Sequence, residues 1–203
     1  MVFFFNLKLT SNCINSSILR SRNPKFLVII LNLLFINLFH IRMQIMSDYK
    51  NPELDEIYKV TEGLYIGAYW PRINFSKLSK EGITAIVNLM ENKHYHPPIR
   101  KFAYLYKGFP DNTYPPRDYI EDILSFIDKH IKEKKGKVLV HCAMGISRSG
   151  GICVAWLLKE NKSWSWNDAM EFVRKSRMIY PATEIRESVL DYFESIEGYR
   201  RSE

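Results

Sequence analysis

The sequence predicts an α/β fold with a central, mostly parallel sheet of about four to five strands flanked by helices. Short runs of apolar, β-branched residues alternate with segments whose apolar residues recur at helical spacing. The clearest pair is a fully apolar strand at 138–140 and, after a short loop, a helical segment at 148–159 that is apolar nearly all round. We therefore expect that helix to be central and buried.

Five short apolar runs have the length of strands. The first two flank Thr61-Glu62-Gly63 and predict a hairpin. The third is rich in β-branched residues and predicts a buried strand. In chain order the predicted strands cover 57–60, 64–66, 83–89, 102–106 and 138–140.

Five helices are predicted around these strands. The first covers 75–82, and the second opens at Pro115-Pro116, because proline suits the first turn of a helix. After the buried helix, Ser165 and Asp168 resemble a capping pair for a helix that runs to about Arg177. Pro181 opens the last helix, whose expected apolar stripe comprises Ile185, Val189, Phe193 and Ile196.

Charge and cysteine content argue against a nucleic-acid-binding protein and against a disulfide-stabilised one. The formal net charge is +7, but residues 1–45 hold five basic residues and no acidic one. Residues 46–203 therefore hold 24 basic and 22 acidic residues, a net charge of +2, with no basic, aromatic-rich run of the kind that binds nucleic acid. Three cysteines do not make a disulfide framework and suit a reducing compartment. We expect a cytoplasmic monomer without nucleic-acid partner, metal or cofactor.

Residues 1–45 form a hydrophobic and basic segment that we expect to lie outside the catalytic domain, which covers 46–203. The run 26–39 is nearly all apolar but shorter than the roughly 20 residues that a bilayer span requires. A signal-peptide core, a mitochondrial presequence, a short membrane anchor through 26–42 and a dispensable segment are all open alternatives. The protein is membrane-anchored or organelle-targeted if this segment belongs to the mature chain and acts as one of the first three.

The stretch from His141 to Gly150 carries the predicted chemistry. It joins a buried strand to a buried helix, which is where open α/β sheets bind ligands. Gly145 permits a tight turn in which backbone N–H groups converge at the start of the helix, and such a turn binds anions. Arg148 adds a planar fork that matches two oxygens of a phosphate. The predicted phosphate-binding residues are Ala143, Met144, Gly145, Ile146, Ser147 and Arg148.

Cys142 begins this loop and is the predicted nucleophile. Converging N–H dipoles and a guanidinium stabilise a thiolate, which would then face a bound phosphorus atom. Ser149 is placed to donate a hydrogen bond to the sulphur and help it leave a phosphocysteine. His141 is expected to hold the loop through hydrogen bonds to backbone. The alternative is that Cys142 is a small buried apolar residue and Arg148 a surface charge.

The pattern H-C-x-x-G-x-x-R-[ST] resembles the signature of the protein tyrosine phosphatase superfamily. The stretch Val-His-Cys-Ala-Met-Gly-Ile-Ser-Arg-Ser at 140–149 resembles its dual-specificity branch, and the likeness covers most of 56–197. Gly63-Leu64-Tyr65-Ile66-Gly67 and Ile86-Val87-Asn88-Leu89 belong to it. The resemblance implies a tyrosine phosphatase-like fold and a phosphatase that works without metal, through a phosphocysteine, on phosphotyrosine and on phosphoserine or phosphothreonine.

The resemblance also implies a general acid, an aspartate on a separate loop before the cysteine. Asp111 lies 31 residues before Cys142, after a predicted strand and before a predicted helix. Its role would be to protonate the leaving oxygen and then to deprotonate the attacking water. Asp118 is a rival, but it falls inside the predicted helix.

The variable positions of the signature favour a phosphorylated protein as substrate. Relatives that act on inositol lipids typically carry lysines there, whereas the four residues of this chain are Ala143, Met144, Ile146 and Ser147. Two alternatives stay open. One is a phosphatase of the same fold for a phosphoinositide or another small phosphate ester. The other is a phosphopeptide-binding module without turnover, against which the presence of Cys142, Arg148 and Asp111 argues.

Overall fold

The structure is a computed structural model that describes residues 57–69 and 72–197. The chain divides into two units, Met1–Lys50 and Asn51–Glu203, and all described residues belong to the second. The predicted N-terminal segment, with its run 26–42, lies outside the described residues. Within the described ranges, no helix combines the length and apolar character needed to cross a membrane.

Five strands form one sheet, and the last strand in the chain occupies its centre. The order is β1-β2-β5-β3-β4. The edge strand β1 pairs antiparallel with β2, while β2 with β5, β5 with β3 and β3 with β4 pair parallel. The mostly parallel sheet is thus confirmed, with the predicted hairpin as its antiparallel edge. The strands are β1 (Ile57–Lys59), β2 (Leu64–Ala68), β3 (Ile83–Asn88), β4 (Ala103–Tyr106) and β5 (Lys137–Cys142).

Each of the five predicted helices is present within the described residues. They are α1 (Phe75–Lys80), α2 (Arg117–Asp128), α3 (Arg148–Glu160), α4 (Trp166–Arg174) and α5 (Thr183–Glu197). One π-helical turn, Lys129–Glu133, continues α2. The capping pair at the start of α4 is confirmed as a full capping box between Ser165 and Asp168. The predicted end of α4 is wrong, because Arg177 leaves the helix and binds a loop described below.

Alternation along β5 divides its side chains between the two faces of the sheet. Val138, Val140 and Cys142 point to the face covered by α2, α3, α4 and α5. Leu139 packs on the opposite face, where α1 contributes Leu78. His141 also lies on that opposite face, next to Tyr95, so consecutive residues at the end of β5 serve different surroundings.

Helix α3 is central and buried, as predicted: every residue from Arg148 to Leu158 is buried. A Cβ atom at Gly150 would lie 3.0 Å from the Ile179 side chain, and one at Gly151 would lie 2.5 Å from that of Ile185. Two glycines therefore let the segment before α5, and α5 itself, pack closely on the first turn of α3.

The predicted apolar stripe of α5 is right for three residues and wrong for the fourth. Ile185, Val189 and Phe193 are buried, whereas Ile196 is 45% exposed. Ile196 falls in the last turn of the helix, outside the apolar core to which the other three belong.

Candidate active site

The signature loop, residues 142–148, connects the end of β5 with the first residue of α3. The first two carbonyls of the loop accept hydrogen bonds from a residue that lies outside the loop. The Tyr69 N–H donates to the Cys142 carbonyl at 2.8 Å and to the Ala143 carbonyl at 3.1 Å. A trans peptide points its C=O and the next N–H in opposite directions, so the N–H groups that follow these carbonyls point to the inside of the loop.

Arg177 and Tyr180 bind the next three carbonyls of the signature loop. Arg177 donates from Nη2 to the Met144 carbonyl and from Nε to the Gly145 carbonyl, each at 2.8 Å. The Tyr180 N–H donates to the Ile146 carbonyl at 3.2 Å. Five consecutive carbonyls are thus turned outward, and the corresponding N–H groups face the inside of the loop, which is the arrangement of an anion-binding nest.

Gly145 is required at the turn of this loop for two reasons. Its φ is +68°, in the left-handed region that disfavours residues with a Cβ. A Cβ there would also lie 2.5 Å from the Gly67 carbonyl oxygen of β2. The loop can therefore pack directly against β2 only with glycine at this position.

Cys142 and Ser149 face each other across the base of the loop. Both residues are buried, and the Cys142 Sγ lies 3.3 Å from the Ser149 Oγ. Ser149 is the second residue of α3, so the sulphur lies at the positive end of a helix dipole. The Ser149 hydroxyl is thereby placed to donate a hydrogen bond to a thiolate.

In the Arg148 guanidinium, Nη1 is hydrogen-bonded to the protein, whereas Nε has no hydrogen-bond partner. Its Nη1 donates to the carbonyls of Leu89 at 3.2 Å and of Phe109 at 3.0 Å. Its Nε is buried and has no hydrogen-bond partner. The nearest carboxylate oxygen, Oδ2 of Asp111, is 3.8 Å from Nε, beyond hydrogen-bond distance. The guanidinium is thus held in place with donor capacity to spare for an oxyanion.

Asp111 reaches the site from the acid loop, residues 109–114, which joins β4 to α2. Its Oδ1 accepts hydrogen bonds from the Ser147 hydroxyl at 2.7 Å and from the Asn112 N–H at 3.1 Å. Both bonds engage Oδ1, which leaves Oδ2 on the side of Arg148. The side chain is 38% exposed, so the carboxyl can exchange protons with solvent.

The rival aspartate lies elsewhere. Asp118 is an exposed residue in the first turn of α2. Its charge, together with the stronger effect of the Asp122 ion pair, raises the pKa of Lys107. Of the two predicted candidates, the structure brings Asp111 to the signature loop.

The family of this chain follows from its similarity to a known catalytic domain. The model of the dual specificity phosphatase catalytic domain matches residues 64–195 of this chain, well over half of it. The chain belongs to the dual specificity phosphatase family. The matched residues include the whole signature loop, the acid loop and all of α3, and the predicted family is confirmed.

Individual relatives agree with this assignment. Human dual specificity protein phosphatase 1 is 35% identical over 119 residues, which are 57% of this chain and 31% of that protein. Protein phosphatase Slingshot of Drosophila melanogaster is 30% identical over 126 residues, 62% of this chain and 12% of that protein. This chain thus spans about a third or less of the curated relatives it matches.

Solved structures share the fold of this dual specificity phosphatase domain. A human tyrosine phosphatase-like serine/threonine/tyrosine-interacting protein has a TM-score of 0.61 and 28% identity, and the match covers 70% of this chain and 97% of that one. A mouse putative dual specificity phosphatase has a TM-score of 0.62 at 23% identity over 71% of this chain and 90% of that one, which supports the fold alone.

His141 supports the signature loop from the opposite face of the sheet. Complete burial, and to a smaller extent the charge of Arg148, lower its pKa to about 4, although the bond to the Cys142 carbonyl opposes this. The ring is therefore neutral at physiological pH. A neutral imidazole has one N–H, so Nδ1 donates to the Cys142 carbonyl at 3.3 Å and Nε2 accepts from the Tyr95 hydroxyl at 2.6 Å.

The sequence did not reveal the residues that bind the signature loop from outside. Tyr69 stacks near Tyr95 and His141, with ring centroids 5.8 and 6.5 Å apart. The sequence predicts a helix that runs to about Arg177 and assigns no role to Tyr69 or Tyr95. No spacing in the sequence links these residues to the signature, because they reach it from other segments. Within the described ranges, no group of three or more His, Cys, Asp or Glu side chains is placed to hold a metal ion.

Proposed function

We propose that this chain is a cysteine-dependent protein phosphatase that acts on phosphotyrosine and on phosphoserine or phosphothreonine. The observation that carries the proposal is the buried Nε of Arg148 beside the Cys142 loop. A buried donor without a partner costs about 1–3 kcal/mol. A phosphate oxygen supplies that partner, and the inward N–H groups of residues 143–147 bind the remaining oxygens.

The first step transfers the phosphoryl group to sulphur. The Cys142 thiolate attacks phosphorus and the ester P–O bond breaks. The leaving oxygen takes a proton from Asp111, whose carboxyl is held over the loop by Ser147. The products are a phosphocysteine, the free hydroxyl of the substrate and an ionised Asp111.

The second step hydrolyses the phosphocysteine. Asp111 takes a proton from a water molecule, whose oxygen attacks phosphorus as the P–S bond breaks. Inorganic phosphate leaves, Cys142 regains its thiolate and Asp111 its proton. The Ser149 hydroxyl, 3.3 Å from the sulphur, stabilises the departing thiolate by donating a hydrogen bond.

Phosphoproteins are favoured as the substrate class over inositol lipids. The exposed rim position of the signature loop is Met144, an uncharged side chain that is 44% exposed. A headgroup with several phosphates requires further cations, and none of residues 143–147 supplies one. The alternatives are a phosphatase for a phosphoinositide or another small phosphate ester, and a phosphopeptide-binding module without turnover. The presence of nucleophile, clamp and acid supports turnover.

The remaining expectations form part of the same proposal. Residues 46–203 constitute the catalytic domain of a cytoplasmic monomer, and residues 1–45 are not needed for catalysis. Membrane association through 26–42 is the alternative to a wholly cytoplasmic location.

The decisive experiment measures phosphate release from a phosphotyrosine peptide and a phosphothreonine peptide. The full chain, residues 46–203 and the full-length Cys142→Ser variant are compared. We expect both peptides to be hydrolysed by the first two proteins and neither by the variant, which should still bind them. Release of phosphate by Cys142→Ser would refute the nucleophile, and no release by the full chain would favour the lipid or binding-module alternative.

A further inference from the structure

Three exposed apolar side chains belong to the signature loop or to the segment hydrogen-bonded to it. Met144 is 44% exposed, Met178 56% and Tyr180 61%. We call these three residues the apolar ledge. Single exposed apolar residues are common on protein surfaces, whereas several beside one binding site indicate a contact surface.

The ledge is built onto the phosphate-binding backbone. Met144 belongs to the signature loop, and Arg177, next to Met178, donates to the Met144 and Gly145 carbonyls. The Tyr180 N–H donates to the Ile146 carbonyl. Residues 177–180 and 144–146 are therefore one hydrogen-bonded unit beside the proposed phosphate site.

The aromatic part of the ledge is preorganised despite its exposure. The Arg174 guanidinium lies over the Tyr180 ring, 5.2 Å from its centroid. The same guanidinium donates from Nε and Nη2 to the Ile179 carbonyl at 3.2 and 3.1 Å, and from Nη1 to Glu171 at 2.8 Å. A surface that is already ordered loses little conformational entropy when a ligand binds.

Met178 and Tyr180 also line a shallow groove of about 430 Å³. Glu171, Arg174 and Lys175 complete its walls. The groove thus offers an apolar floor beside charged groups of both signs. Three partly exposed side chains provide area for one apolar side chain, but far less than stable membrane anchoring requires.

We propose that the apolar ledge is a substrate-docking surface that takes an apolar side chain lying close in sequence to the phosphorylated residue. The inference rests on the proposed function and names a class of substrate for it: phosphorylated polypeptides with a large aliphatic residue near the phosphate. Such a residue gains affinity by leaving water and contacting Met178 and Tyr180, while the phosphate binds the signature loop.

The test is a leucine scan measured by binding, so that it does not depend on turnover. In the full chain with Cys142→Ser, we measure the Kd of phosphotyrosine peptides in which leucine replaces alanine, in turn, at each of the three positions on either side of the phosphotyrosine. We expect at least one position to tighten binding about fivefold to tenfold, because the ledge stays partly open to solvent. The ratio of the alanine to the leucine Kd should fall close to one in Met178→Ser and in Tyr180→Ser, each combined with Cys142→Ser.

Two matched variants serve as controls. Ile99→Ser removes an apolar side chain that is 86% exposed and lies shortly before β4, at the opposite edge of the sheet. Met178→Leu keeps the ledge apolar. Both should retain the Kd ratio of the Cys142→Ser chain. Loss of the ratio in Ile99→Ser would show that the effect does not come from the ledge.

The outcomes separate the docking surface from the activity. The proposal is overturned if no position favours leucine, or if the preference survives in both serine variants. It is also overturned if those variants weaken binding to phosphoinositide-containing vesicles and leave the peptide ratio unchanged, since the occupant is then a membrane. Failure of the wild-type chain to hydrolyse peptides that Cys142→Ser binds would instead refute the proposed function and leave the ledge supported.

Discussion

The signature loop and the acid loop meet at one site but are held in opposite ways. In the signature loop, Cys142 and Arg148 are buried, and residues from two distant segments bind five consecutive carbonyls from outside. In the acid loop, Asp111 is exposed, and its tie to the signature loop is the 2.7 Å bond from Ser147. The groups proposed to bind the phosphate are thus preorganised, whereas the carboxyl proposed as the proton donor stays open to water.

The largest effect is expected from the exposed loop. Asp111→Asn keeps the shape of the side chain but removes its acid, so kcat/KM for a phosphopeptide should fall by about 10²–10⁴. An aryl phosphate with a good leaving group should be affected much less, because its oxygen leaves without a proton. Stopped assays of phosphate release on both substrates measure the two effects. Asp118→Asn is the matched control, and an equal loss there would mean that the acid loop supplies no acid.

A single methyl group added at Gly145 should displace the backbone of the signature loop. Gly145→Ala places a Cβ at a φ of +68° and 2.5 Å from the Gly67 carbonyl, so the loop must move. A displacement of about 1 Å typically costs about 10²-fold in rate. We expect a loss of that size in kcat/KM for peptide and aryl phosphate alike, with an unchanged circular dichroism spectrum. A wild-type rate would show that the loop tolerates the shift and that its backbone is not the clamp.

Support of the signature loop from behind the sheet should appear as a pH effect on stability. His141 has a pKa of about 4 in the folded chain and an ordinary value of 6.5 when unfolded. Between these values the unfolded state binds the extra proton, so the stabilising contribution is complete above pH 6.5 and is lost as pH falls towards 4.

At pH 5 this loss should amount to about 2 kcal/mol in the free energy of unfolding. Urea unfolding at pH 7.5 and pH 5 measures it, with His141→Gln as the reference. Other groups titrate in the same range, so the relevant quantity is the difference between the two proteins. If both lose the same free energy on acidification, His141 is not the neutral buried group described here.

The smallest effect concerns the hydrogen bond from Ser147 of the signature loop to Asp111 of the acid loop. Ser147→Ala removes the donor to Asp111 Oδ1 and should reduce kcat/KM for poor leaving groups about fivefold to tenfold, which corresponds to the net value of a typical hydrogen bond. Ser147→Thr keeps the hydroxyl and should restore the rate. A loss that is equal for good and poor leaving groups would indicate damage to the phosphate site rather than to the position of the acid.

The difference between the loops also explains what the sequence could predict. Cys142, Arg148 and Ser149 lie within ten residues, and a strand and a helix of unmistakable periodicity flank them. Asp111 required the family resemblance, because an aspartate after a strand has no pattern of its own. The contact of Tyr95 with His141, 46 residues away in the chain, follows from strand order.

Arg177 shows the same limit from another direction. Helical periodicity continued to this residue in the sequence, yet the helix ends at Arg174, and the guanidinium of Arg177 binds two loop carbonyls instead. Local elements were predictable, whereas the contacts that hold the site depend on the assembled fold.

Close packing at Gly150 and Gly151 has a consequence for the order in which the domain is completed. During synthesis, Asp111, Cys142 and Arg148 all emerge before Ile179 and Ile185, whose side chains lie against the first turn of α3. A nascent or truncated chain that stops before α5 carries the full set of reacting groups without the packing that orients them. Such a fragment should be catalytically silent until α5 docks on α3.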